Sequence, residues 1–255
     1  MDIADLFCGT ALTDTKYEPD LPGLVLRLRA DVSELDKLLT IRNAASRFPE
    51  WLILPFLLRK FLELSTTAVL SRSDPLRVLA ARKNQLHSSY ELGRPNSSSI
   101  SWTGDIFPKE KLAAGDAWDA AKLKNGPDRS LLGLHFGEAA ISPGLVWLAD
   151  QDTGDSKWIT ELARHKDPLG WLRSGLAMLY STLSKGVHAE HLLDNRMAFD
   201  IVTIMQHQHD VYMLTSILGA ASHASPLFVR SIQRENAMKI LIELEQRTVE
   251  STSQK

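Results

Sequence analysis

The stretch FDIVTIMQHQHDVYMLTSIL, residues 199–218, decides the fold. Phe199, Ile201, Val202, Ile204, Met205, Val211, Met213, Leu214, Ile217 and Leu218 are apolar. At helical periodicity they spread over most of the circumference. A helix apolar nearly all round is one buried among others, so the spacing predicts a long central helix near 190–220 in a mainly α protein.

Working outward, three dipeptides announce helix starts. Asp74-Pro75, Asp167-Pro168 and Ser225-Pro226 each place a capping side chain before a proline at the first helical position. Gly93 before Arg94-Pro95 predicts the end of the first of these, giving a helix over 74–92. Ser33 with Asp36 resembles a capping box. The stripe Leu35, Leu38, Leu39, Ala45 and Phe48 follows it and stops at Pro49. A second helix is predicted from Pro49 or Pro55 to Leu70, with Leu58, Phe61, Leu62 and Val69 inward. Others are predicted over 109–124 and 156–165.

Residues 1–23 read as irregular, with Pro19, Pro22 and Gly23 as breakers. Leu24, Leu26 and Leu28 alternate with Val25, Arg27 and Arg29, a period of two that predicts a short strand or extended segment. Residues 94–107 read as a polar loop, and 125–155 as a punctuated region around a strand from Gly144 to Leu148. The expected organisation is an N-terminal extended segment (1–32), a multi-helix bundle (33–249) and a polar tail (250–255).

Composition narrows the function classes. The 255 residues carry 29 Lys and Arg against 31 Asp and Glu, so no global basic field drives nucleic-acid binding. The single cysteine, Cys8, excludes a disulfide framework and a multi-cysteine metal site, and reads as a lone exposed thiol. The most apolar run, Trp51 to Leu58, is broken by Pro55 and closed by Arg59 and Lys60, and falls short of the roughly 20 residues of a membrane helix. With acidic Asp2 and Asp5 at the start instead of a basic leader, the expected location is cytoplasmic, without membrane contact. The six tryptophans are dispersed, which suits core packing better than base stacking.

Charge is uneven along the chain. Residues 1–41 are net −4, whereas 42–94 are net +5. The basic block, with Arg59, Lys60, Arg77, Lys83 and Arg94 as candidate RNA- or partner-binding residues, has three open readings. It meets RNA or an acidic protein, it pairs with the acidic N-terminal segment, or it is a solvated helix face.

Two constellations carry chemistry. Arg82-Lys-Asn-Gln-Leu-His87 places an arginine and a histidine five positions apart on the predicted 74–92 helix. Converging on a phosphodiester, His87 would move a proton and Arg82 would hold the charge developing on phosphate, without a metal; Lys83 and Asn84 would assist. That spacing resembles the R-x-x-x-x-H motif of HEPN ribonucleases. The second is Tyr180-Ser-Thr-Leu-Ser-Lys-Gly-Val-His188, in which Tyr180, Leu183, Ser184, Val187 and His188 match a Y-R-x-L-S-x-x-V-H pattern of HEPN-type domains. The arginine of that pattern is replaced by Ser181, and neighbouring Lys185 lacks the planar fork of an arginine. The resemblance implies a helical HEPN-like domain, of the kind found in bacterial toxins and abortive-infection systems and often dimeric, that has lost a phosphate-holding cation at this site. His188 is the alternative catalytic histidine.

A metal site is not expected. His188, His191, Glu190 and Asp194 cluster, and His207, His209 and Asp210 follow, but the paired Glu-x-x-His pattern of bundle sites is missing. His207 and His209 also fall on different helix faces. No nucleotide-fold or hydrolase motif occurs, and no cofactor is expected. The leading expectation is therefore a non-catalytic HEPN-like interaction subunit or regulator of a larger, antiviral bacterial complex, with a protein partner or homodimer and RNA as a further ligand. The alternative is a metal-independent endoribonuclease using Arg82 and His87.

Overall fold

The computed structural model describes residues 2–12, 20–40, 50–88, 90, 139–151, 156–187 and 200–253. Among them the chain forms helices and no strand. In order these are α1 (Ile3–Cys8), α2 (Asp20–Thr40), α3 (Glu50–Ser73), α4 (Pro75–Gln85), α5 (Ser142–Ala149), α6 (Lys157–Ala163), α7 (Pro168–Val187), α8 (Ile201–Ala224) and α9 (Arg234–Ser253).

The central helix is α8. Asp200 caps it, accepting from the Thr203 amide at 2.8 Å, and it packs on α1, α3, α5, α6, α7 and α9. From Leu214 to Ala224 every residue is buried. Small residues let its neighbours approach closely: a Cβ added at Gly144 of α5 would lie 2.0 Å from the Ala221 carbonyl oxygen. The two helices therefore cross backbone on backbone.

The N-terminal strand does not form. Residues 24–29 lie in α2, with Leu24, Val25, Leu28, Val32 and Leu39 buried. Six alternating residues fit either period, and the longer window, apolar at helical spacing, decides. Pro22 stands in the first turn of α2, where a missing amide proton costs no helix bond, so Pro22 marks a helix start; Pro19 lies outside the described residues. The boundary expected at 32/33 runs through α2, and α9 continues to Ser253. Nor do Ser33 and Asp36 cap anything. The Ser33 hydroxyl donates to the Asp2 carboxylate (3.1 Å), and Asp2 with Asp5 forms the capping box of α1. Asp36 is buried, accepting from the Tyr212 hydroxyl at 2.8 Å and from both terminal nitrogens of Arg247.

Of the two starts expected for the second helix, the one after Pro49 holds: α3 begins at Glu50 and passes through Pro55, with Leu58, Phe61, Leu62 and Val69 buried. Three further expectations change. Residues 144–148 are helical, within α5. Ser225-Pro226 opens no helix: Ser225 closes α8, and the chain folds back across the end of α3, where the Val229 amide donates to the Arg72 carbonyl at 3.0 Å, before α9 begins. Ser-Pro is as much a turn signal as a helix start. Asp74 does cap α4, accepting from the Arg77 amide at 3.1 Å, but the helix ends at Gln85 and not at Leu92. The predicted 109–124 helix and 94–107 loop lie outside the described residues. No described helix is long and apolar enough to cross a membrane.

Candidate functional site

Three helices and a tyrosine enclose an open cleft of about 600 Å³. α2 contributes Leu24, Arg27 and Leu28; α3 contributes Lys60, Glu63, Leu64 and Thr67; α4 contributes Val78, Ala81, Arg82 and Gln85, with Leu86 just beyond. These positions are three and four apart in α2 and three, four and seven apart in α3 and α4, the spacing of a single face. The adjoining positions of the same helices are buried, with Val25 on α2, Phe61 and Leu62 on α3 and Leu79 on α4, and Leu24, Leu28 and Val78 of the lining are themselves part of the core. Tyr180 of α7 lines the cleft as well.

The floor is apolar and the rim cationic. Glu63 is the acidic residue of the described lining, and its charge is matched by Arg59 at 3.1 Å. Arg59 also lies over the Tyr180 ring at 4.7 Å and donates to its hydroxyl at 3.0 Å. Arg27 and Lys60 are exposed, and among the described residues neither has an ion-pair partner. Arg82 is half-buried, its guanidinium beside Gly23 and its Nη1 3.4 Å from the Asp20 carbonyl oxygen, a long contact. Lys83 reaches the Asp20 carboxylate at 3.3 Å. Part of the basic block thus meets the acidic N-terminal segment, while Arg27, Lys60 and Arg82 leave the cleft with excess positive charge.

Arg82 and His87 do not share a helix face. His87 lies past the end of α4, exposed, its amide donating to the Asn84 carbonyl at 3.2 Å. It is absent from the described lining of the cleft that takes in Arg82. Arg77 is half-buried in the first turn of α4. On α7, Leu183 is buried, Ser181 is exposed, and the Ser184 hydroxyl donates to the Tyr180 carbonyl at 2.6 Å. Arg94, His188, Glu190, His191 and Asp194 lie outside the described residues. Among those described, no group of three or more His, Cys, Asp or Glu is placed to hold a metal ion.

A second arginine site escaped the sequence reading. Arg72, at the end of α3, is wholly buried. Its Nε donates to the Val229 carbonyl (3.1 Å), Nη1 to the Ser222 hydroxyl (2.6 Å), and Nη2 to the Ser231 hydroxyl (2.9 Å) and His223 Nδ1 (3.0 Å). His223 Nε2 faces the Leu6 carbonyl at 2.9 Å, so the ring carries its proton on Nε2 and accepts through Nδ1, from Arg72 and from the Ile232 amide. Burial, with the Arg72 charge, pushes its pKa down to about 3. Burial, together with nearby Arg230, likewise lowers Arg72 to about 9, still cationic at neutral pH. Cys8 is no exposed thiol. It is buried beside this site, and burial outweighs three nearby arginines to push its pKa up to about 12, which leaves it unreactive at neutral pH. These partners are some 150 residues from Arg72 in sequence, and no local pattern joins them.

Trp158 is buried, and Trp147 and Trp171 pack against the core. Compared with models of known families, with curated proteins and with solved structures, the chain has no match.

Proposed function

We propose that the protein is a non-catalytic helical interaction subunit that engages a protein partner through the cleft between α2, α3 and α4. The observation that carries this is the pair Arg27 and Lys60, held on adjacent helices over an apolar floor with no ion-pair partner among the described residues. Exposed cations around a concave apolar surface are a common feature of recognition sites. The separation of Arg82 from His87 supports the non-catalytic part, because proton transfer and charge stabilisation need both groups on one phosphodiester.

The same reading takes the chain as HEPN-like and as part of a larger antiviral bacterial assembly. What supports it is the run from Tyr180 to His188, of which Tyr180, Leu183 and Ser184 share α7. A fold analogy weighs less than a site.

The test is incubation of the purified protein with single-stranded RNA, alongside Arg82→Ala, His87→Ala and His188→Ala. Intact RNA in all four is the expected result. Cleavage by the wild type that is lost in Arg82→Ala and His87→Ala contradicts the reading and makes the protein an endoribonuclease. Cleavage lost only in His188→Ala contradicts it too, and moves the chemistry to α7.

A further inference from the structure

We infer that the occupant of the cleft is an acidic amphipathic helix of the partner protein, with Asp and Glu flanking an apolar stripe. This rests on the interaction reading above and names the chemistry of the partner.

Shape is the first argument. The α3 lining runs from Lys60 to Thr67 and the α4 lining from Val78 to Gln85, about two helical turns or roughly 11 Å each. Two such faces with Leu24 and Leu28 between them form a groove of the kind that takes a helix through anchors at i, i+3/i+4 and i+7. Its floor is lined by half-buried Leu64 and by Leu24, Leu28 and Val78, which also pack in the core. At the mouth, Leu86 is 73% exposed, an apolar side chain beside the groove with nothing of the described chain over it.

Charge is the second. Glu63 is already matched by Arg59, so among the described residues an incoming segment meets Arg27, Lys60 and Arg82 and no uncompensated carboxylate. A basic or neutral helix gains only the floor; an acidic one gains the rim as well. RNA suits the groove less. Tyr180 is the aromatic residue of the described lining, and Arg59 already stacks on its ring, which occupies one face of the platform that unpaired bases require.

Exposed ion pairs are individually weak, and three of them predict a preference on the order of 10-fold for acidic over basic flanks, fading with added salt. The experiment displays helical peptides with apolar residues fixed at i, i+3, i+4 and i+7 and all flanking positions randomised. The library is selected on the full-length chain and, in parallel, on Arg27→Glu/Lys60→Glu, two exposed positions whose change leaves the core untouched. Enrichment of Asp and Glu flanks by the wild type, swinging to Lys and Arg with the variant, is the expected result. No enrichment, enrichment indifferent to flank charge, or the same sequences from both proteins overturns the inference. Should the library fail while a photocrosslinker at Leu86 still traps a partner in a charge-dependent way, the helix assignment falls and the interaction reading stands. Failure of both, with RNA cleaved, removes both.

Discussion

Arg72 and Arg27 are two opposite uses of a guanidinium within one bundle. Arg72 is sealed inside, met by two serine hydroxyls, a backbone carbonyl and a neutral imidazole. Arg27 stands exposed at the rim of a cleft, and no described residue pairs with it. A buried charge must have its donors satisfied, so the first arrangement answers to the fold alone. An exposed charge gains little stability from any neighbour, so the second is free to answer to something outside the chain. Burial, not residue type, separates structural arginines from candidate contact residues here.

The largest effect expected of that difference is at Arg72. Replacing it with Met leaves several buried acceptors unpaired and costs about 3 kcal/mol or more of stability, read as a lower urea midpoint. Arg72→Lys restores little, because one ammonium cannot span acceptors on both sides of a guanidinium plane. A wild-type midpoint in Arg72→Met would break the contrast between the two sites.

Next comes the close crossing of α5 on α8. Gly144→Ala puts a methyl group against the Ala221 carbonyl and forces the helices apart, with an expected loss of about 2 kcal/mol in thermal or urea unfolding.

His223 makes the buried site sensitive to acid. Its folded pKa is about 3 against 6.5 for the free ring, so the unfolded chain binds the extra proton between those values. Its contribution is fully present above about pH 6.5 and drains away as pH falls towards 3. Lowering the pH from 7 to 5 should remove about 2 kcal/mol. Half-buried His207, also lowered by burial, adds in the same direction. Urea titrations at both pH values check this, and His223→Gln, which keeps an acceptor but does not titrate, should flatten most of the slope. An unchanged slope in that variant would place the acid sensitivity elsewhere.

The smallest effect on stability belongs to the cleft. Arg27→Glu/Lys60→Glu should change the unfolding free energy from urea titration by no more than about 0.5 kcal/mol. A large loss would mean these cations serve the fold after all, and the comparison would collapse.

The central helix was legible because ten apolar residues in one window leave a helix no polar face, and the α4 start because Asp74-Pro75 carries its own cap. The start of α2 was misread: Leu24 to Leu28 fit two periods, and Pro22 breaks a helix or opens one according to register. As a strand, that segment put Arg27 and Arg29 on one face. As a helix it sends Arg27 to the cleft and Arg29 to Asp5, at 2.6 Å. Lys60 and Arg82 were visible as charges, yet their meeting with Arg27 depends on how α2, α3 and α4 pack. The Arg72 site was invisible for the same reason, since its acceptors come from the far end of α8 and the turn after it.

A partner seated in the cleft will be trapped by site-specific photocrosslinking in the cell. A benzoyl-phenylalanine replaces Leu86 at the cleft mouth or, as a control, exposed Val202 in the first turn of α8. A discrete protein adduct is expected from position 86, none from 202, with loss of the adduct when Arg27→Glu/Lys60→Glu is added. Equal adducts from both positions, or an adduct from position 86 that survives the charge reversal, would contradict a partner seated there.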